Sequence, residues 1–213
     1  MTEGRFDALV VDFGGVLTTP LQEAMVRFAA ETGIELQDFV RIALGAYSGG
    51  DDDLVVSFET GRLSEEEFAR DFAARIKEET GRDVDPNGLV ERIFSGLRLE
   101  EDMLTAVGAV RGAGLKTGLL SNSWGTNLYP RARIDSLFDA IVISGEVGLR
   151  KPDPAIFELA LDRLSVVAHR SVFVDDHPGH LSAAADVGMT TVLHRSPAET
   201  IAELEELLGF ALS

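Results

Sequence analysis

Cysteine is absent from the 213 residues, which excludes disulfides, thiolate metal sites and a cysteine nucleophile and leaves the redox compartment open. Basic residues are scarce: 19 Lys and Arg stand against 36 Asp and Glu, a formal charge of −17. Nucleic acids and anionic membranes are bound by neutralising phosphate with Lys and Arg, so neither is an expected partner. An anionic substrate would need a local cation, from a basic side chain or a metal. No apolar run approaches the length of a membrane span, and the polar residues 1–7 are unlike a signal peptide. The expected location is the cytoplasm. What remains is ordinary for a globular chain: 45% hydrophobic and 26% charged residues, enough for one large domain or a core with an inserted subdomain.

Strand signals are also missing from a long stretch, and this sets the organisation. After a short apolar run at 8–11 (Ala8, Leu9, Val10, Val11), ended by Asp12 and Gly14-Gly15, residues 20–94 read as a helical block with no convincing strand. The periodicity predicts helices over 21–30 and 36–46, a helix from the capping box Ser64-Glu65-Glu66-Glu67 to about Glu79, and a short helix opened by Asp85-Pro86. The acidic run Asp51-Asp52-Asp53 between them reads as a solvated loop. From residue 99 onward the pattern alternates. Helices are predicted over 99–112, 134–138 (a short helix or turn), 154–164, 181–187 and from Ser196-Pro197, and strands over 115–120, 140–143, 171–174 and 190–193. Alternation of this kind implies an α/β fold with a mostly parallel, Rossmann-like sheet covered on both faces. The boundaries expected are a core of 1–19 and 95–213 and a helical lid of 20–94.

Three predicted strands end in polar residues: Asp12, Ser121-Asn122 and Asp175-Asp176. Lys151 precedes a helix. Ligands of open parallel sheets bind outside the carboxyl ends of the strands, where such residues converge. Each alone has a plainer reading: a turn for Ser121-Asn122-Ser123, a helix cap for Asp176, a surface lysine beside a proline. The set in this order is more specific.

It resembles the haloacid dehalogenase superfamily over the whole chain. The first motif is Asp12-Phe13-Gly14-Gly15-Val16-Leu17, the second Leu119-Leu120-Ser121-Asn122, the third Lys151-Pro152-Asp153-Pro154 and the fourth Val174-Asp175-Asp176. Phe58-Glu59-Thr60-Gly61-Arg62-Leu63-Ser64 is similar to a recurrent segment of the family's helical cap, and the branch most similar contains the phosphatase domain of soluble epoxide hydrolases. The resemblance implies an aspartyl-phosphate formed on Asp12 and a Mg²⁺ held by Asp12, the Gly14 carbonyl and Asp176, with Asp175 binding directly or through water. It also implies Lys151 paired with Asp12 and the phosphoryl oxygens, and a cradle of the Ser121 hydroxyl and the Gly15 and Asn122 amides. Oxygen-only ligands suit Mg²⁺, which relieves the repulsion between a carboxylate and a phosphoryl group. The expected substrate is a small phosphorylated metabolite, and the chain a monomer or homodimer.

One more residue is lacking. Most of the family's phosphatases carry a second Asp two positions after the nucleophile as acid and base, and here that position is Gly14. Such groups typically contribute about 10²–10⁴-fold. The enzyme is then slow, restricted to good leaving groups, or served by another residue, with His177 the nearest candidate in sequence. Trp124 and Tyr129 are candidates for the substrate entrance or for the core. Mutase chemistry, which depends on the missing acid, is disfavoured. Carbon–halogen hydrolysis is the competing reaction, although adjacent Asp175 and Asp176 without a cation would repel each other and a carboxylate substrate. A third reading is a binding protein, catalytically weak, that kept the site.

Overall fold

The computed structural model describes residues 5–44, 53–125 and 128–212. Its centre is a parallel sheet of five strands: β1 (Ala8–Val11), β2 (Lys116–Ser121), β3 (Ala140–Ile143), β4 (Ser171–Asp175) and β5 (Thr190–Leu193). Their order is β3-β2-β1-β4-β5. The side-chain period of two divides each strand between the two faces. Leu9, Val11, Leu119, Val172 and Val174 enter one core with α6 (Glu101–Gly112) and α11 (Pro197–Leu208). Ala8, Val10, Leu120 and Phe173 enter the other, with α9 (Pro154–Leu164) and α10 (Pro178–Val187). Burial on both faces explains the near-continuous apolar strands.

Between β1 and β2 lies a helical block: α1 (Leu21–Thr32), α2 (Leu36–Leu44), α3 (Asp53–Glu59), α4 (Glu65–Thr80) and α5 (Leu89–Ile93). It has its own core, in which Phe28, Phe39, Phe68 and Phe72 are fully buried. Phe58 stacks on Phe68 at 4.1 Å between ring centroids. Where the block joins the sheet the two connections run side by side: Thr19 N–H donates to Arg98 O (2.8 Å) and Glu100 N–H to Leu17 O (2.9 Å). The capping box of α4 is complete, Ser64 Oγ accepting from Glu67 N–H at 3.2 Å while the Glu67 carboxylate accepts from Ser64 N–H at 3.0 Å.

Local departures from the expected elements have local causes. Asp85 caps no helix; its carboxylate accepts from the Asn87 N–H (2.9 Å) and amide (2.8 Å), a turn that delays α5 until after Gly88. The helix at α3 and the short α8 (Ser144–Val147) were unforeseen. The segment 134–138 is the end of α7 (Arg131–Ile134) and a 3₁₀ turn. Of the acidic run, Asp51 and Asp52 lie outside the described residues, and Asp53 begins α3. Among the described residues no helix is long and apolar enough to cross a membrane.

Candidate active site

Strand register brings the polar ends together. Val11 pairs with Leu119 on one side and Val174 on the other, so Asp12, Ser121 and Asp175 leave adjacent central strands at nearly one level. This is where the strand order reverses, β2 and β3 lying on one side of β1 and β4 and β5 on the other. Asp12 N–H donates to Val174 O (2.9 Å), fixing the nucleophile candidate against β4.

Lys151 is fully buried, and its Nζ lies 2.9 Å from Asp12 Oδ1 and 2.6 Å from Asp175 Oδ2. Burial disfavours the ammonium, but the two carboxylates outweigh it and hold the Lys151 pKa above the ordinary lysine range. Asp175 accepts in addition from the His177 N–H (2.8 Å) and lies 3.1 Å from His180 Nδ1. Since a carboxylate only accepts, that ring nitrogen carries the proton. Burial pushes Asp175 up, yet the Lys151 charge and the His180 bond prevail and keep it well below the usual carboxylate range.

Asp12 and Asp176 behave oppositely. Burial, against the pull of Lys151 and with the added charge of Asp175, pushes Asp12 up to about 7. Burial and the neighbouring Asp175 raise Asp176. Carboxylate oxygens of Asp12, Asp175 and Asp176 lie within 4.8 Å of one another. Three acids facing one lysine leave a net negative, oxygen-only cluster, the donor set a hard divalent cation takes. Asp175 has both oxygens engaged by protein donors, which leaves Asp12 and Asp176 as the freer pair.

The turn after β1 completes the cluster. Gly15 has φ +77°, and a Cβ there would sit 2.4 Å from Asp176 Oδ2. Only glycine satisfies both the backbone and that close approach. Its N–H donates to Thr18 Oγ1 (3.0 Å), so the Gly15 amide expected in a phosphate cradle is engaged within its own turn. A Cβ at Gly14 would meet Leu21 Cδ1 and Cδ2 at 3.3 Å. An apolar side chain from α1 therefore covers the side of the turn on which Gly14 carries no side chain.

Ser121 is buried and accepts from Tyr129 OH at 2.9 Å. Asn122 ties two loops, its Oδ1 accepting from Lys151 N–H (2.8 Å) and its Nδ2 donating to Lys151 O (3.0 Å). His177 is the N-cap of α10, its Nδ1 accepting from Gly179 N–H at 3.2 Å. A cavity of about 400 Å³ opens on Asp12, Lys151, Asp176 and His177 and is walled by Leu21, Met25 and Val40 from the helical block. A second, of about 550 Å³, adjoins it beside Ser121, Asn122 and Tyr129.

All the expected site residues thus gather at one place. Sequence reasoning missed Glu59, Arg150 and the role of Tyr129. Glu59 and Trp124 both line the first cavity, and Trp124 Nε1 donates to Glu59 Oε1 at 3.1 Å. Arg150 Nε lies 2.8 Å from Glu59 Oε2. The available signal was a charged residue, Arg150, beside Lys151 and a lone Glu inside a segment otherwise suited to cap packing.

The profile of the family described as haloacid dehalogenase-like hydrolase matches residues 6–188. Acyl-CoA dehydrogenase family member 10 of Mus musculus is 31% identical over 97% of this chain, which spans 20% of that protein. Bifunctional epoxide hydrolase 2 of Sus scrofa is 30% identical over 96% of this chain, which spans 39% of it. Against sesquiterpene phosphatase astK of Aspergillus oryzae the identity is 25%, covering 96% of this chain and 97% of the other. Among solved structures, enzyme bt-2542 of Bacteroides thetaiotaomicron, in complex with magnesium and inorganic phosphate, superposes with a TM-score of 0.62 at 21% identity. That match covers 89% of this chain and 94% of the other.

Proposed function

Since the chain belongs to the haloacid dehalogenase-like hydrolases, we propose that it is a Mg²⁺-dependent hydrolase of small phosphate monoesters that works through an aspartyl-phosphate on Asp12. The observation that carries this is the cluster of three carboxylates within 4.8 Å of one another against the single buried Lys151. The magnesium and phosphate complex of the Bacteroides enzyme and the phosphatase from Aspergillus support the same chemistry. We take 20–94 as the cap and the remainder as the core.

In this reading Asp12, Asp176 and the Gly14 carbonyl would hold Mg²⁺, with Asp175 binding it directly or through water. Bound there, the ion would offset the repulsion between Asp12 and the phosphoryl group and act as a Lewis acid. A carboxylate oxygen of Asp12 attacks phosphorus, the ester oxygen departs with its electron pair, and water then hydrolyses the acyl phosphate. Lys151, pinned by Asp175, spreads its charge over Asp12 and the phosphoryl oxygens. The Ser121 hydroxyl and the Asn122 backbone amide orient the group. No side chain at position 14 protonates the leaving group, and Leu21 keeps that side apolar. Substrates with good leaving groups, or with apolar bodies that pack on Leu21, Met25 and Val40, suit such a site.

The test is release of inorganic phosphate from p-nitrophenyl phosphate with Mg²⁺ and with EDTA, for the wild type and Asp12→Asn. That leaving group needs little protonation, so the missing acid does not mask turnover. Metal-dependent release abolished by the substitution is expected. Its absence from folded, Mg²⁺-supplied protein would sink the reading and turn attention to halide release.

A further inference from the structure

We infer that Glu59, a cap residue, is the positioning residue that holds the Ser121–Asn122 loop and Lys151 in register for phosphoryl transfer. The rate measurements below rest on the phosphatase reading; the spectroscopic one rests only on the binding of phosphate and Mg²⁺, not on turnover.

Glu59 ends α3, yet its side chain is 0% exposed. A buried carboxylate is costly unless paired and hydrogen-bonded. Core residues supply the partners: Trp124 Nε1 donates a hydrogen bond to Oε1 at 3.1 Å, and Arg150 forms an ion pair, its Nε 2.8 Å from Oε2 but not aligned for a hydrogen bond. Trp124 follows Asn122 by two residues, and Arg150 immediately precedes Lys151. The Asn122 side chain bonds both backbone groups of Lys151. The circuit therefore closes: Glu59 to Trp124, along the chain to Asn122, across to Lys151, along to Arg150, and back to Glu59.

The backbone of the same cap segment is seated as firmly. Glu59 O accepts from Ser144 Oγ (2.5 Å), and that oxygen accepts from Ser123 N–H (2.8 Å). At Gly61, φ is +71°, and a Cβ would lie 2.4 Å from Gly145 O, so the cap turn meets core backbone directly. A plain fastening of cap to core would not require a charge, since apolar packing serves stability at least as well as a buried ion pair. It would not require a place in the wall of the cavity that holds Asp12 and Lys151 either. A carboxylate gripping one residue on each of two phosphate-binding loops serves geometry.

Trp124 is the only tryptophan in the chain, so intrinsic emission reports this junction. The experiment compares the wild type with Glu59→Gln, Arg150→Gln and the double variant. Glu59→Gln keeps the size and an acceptor for the indole but loses the charge. With p-nitrophenyl phosphate and Mg²⁺, each single variant should lose about 10- to 100-fold in kcat with KM within about twofold, as misplacement without lost substrate contacts does. The double variant should be no worse than the poorer single one, because the pair acts as a unit. Wild-type Trp124 emission should change on adding inorganic phosphate with Mg²⁺, and both single variants should lose that response. If Glu59→Gln does not fold, Arg150→Gln, at the partly exposed end of the pair, carries the same readouts. A folded variant within twofold of wild-type kcat, additive losses, or an emission response retained in the variants overturns the assignment, as does a wild type that releases phosphate without any emission response. A wild type that releases no phosphate refutes the phosphatase reading, and the emission titration then decides the role of Glu59 by itself.

Discussion

Ser121 shows how one hydroxyl is prepared by its neighbour. Burial pushes the Tyr129 phenol up to about 12, so it stays a donor at any working pH, and it donates to Ser121 Oγ. With one lone pair of Oγ so occupied, the Ser121 proton turns the other way, toward Asn122 O at 3.3 Å here and toward a phosphoryl oxygen in the proposed reaction. Tyr129→Phe removes this restraint but keeps the ring, which packs on Phe13 at 4.7 Å. The net value of one such bond to stability is about 1 kcal/mol, so Tm should fall by about 2–4 °C, and kcat/KM for an aryl phosphate should fall about fivefold if the same bond is needed in the reaction. An unchanged kcat/KM would remove Tyr129 from the positioning set. Lys151 is a different case, because its two carboxylate partners compensate a full buried charge and no neutral side chain replaces it.

At the scale of the element, the turn after β1 does more than end a strand. Its two glycines are needed for different reasons. Gly15 combines a left-handed backbone with a carboxylate in the place of a Cβ, and Ala there meets both the conformational penalty, about 1–2 kcal/mol, and the Asp176 clash. Gly14 has no positive φ, and an added methyl meets only the ends of the Leu21 side chain, which can yield. Gly15→Ala should therefore lower Tm and weaken Mg²⁺ binding by displacing Asp176, whereas Gly14→Ala should leave both nearly unchanged; calorimetry on the pair checks it. Equal effects from the two substitutions would contradict the argument. The same element explains what was legible beforehand. Strands buried on both faces announce themselves as apolar runs, and the bounds predicted for β3 and β5 agree with the structure. Polar strand ends gave Asp12, Ser121, Asp175 and Asp176, and the lysine before a capped helix gave Lys151. Contacts between distant elements leave no periodicity. The bond from His180 to Asp175, the bond from Tyr129 to Ser121 and the burial of Glu59 each join residues whose pairing only the packed fold decides. Asp85-Pro86 misled for a simpler reason: a side chain that caps a helix closes a turn equally well.

At the scale of the molecule, an excess of 17 negative charges makes a buried acid cluster expensive, and pH and metal should act on stability through it. Asp12 is raised to about 7 in the folded chain from an ordinary value near 3.8. Between those values the native state binds a proton that the unfolded state has released, so this group's contribution falls as pH rises and is gone above about 7. Asn stands in for the neutral carboxyl, so Asp12→Asn should match the wild type near pH 4 and exceed it at pH 8. Asp176, also raised, and Asp175, lowered, are present in both proteins, so the comparison reads the cluster with and without the Asp12 charge. In EDTA at pH 8 the gain should be at least about 2 °C in Tm, the equivalent of about 1 kcal/mol in a chain of this size. Mg²⁺ should reverse the order. A cation binding only the folded state stabilises by mass action, and the wild type offers it one more carboxylate than the variant. The same competition between protons and metal means that Mg²⁺ affinity of the wild type should weaken as pH drops below 7, with proton release on binding visible as a buffer-dependent heat. Thermal melts of both proteins at pH 4 and pH 8, with EDTA and with Mg²⁺, read all of this at once. A variant less stable than the wild type in EDTA at pH 8 would mean that the Lys151 pairing outweighs the burial of Asp12, and the acid cluster would then stand without a cation.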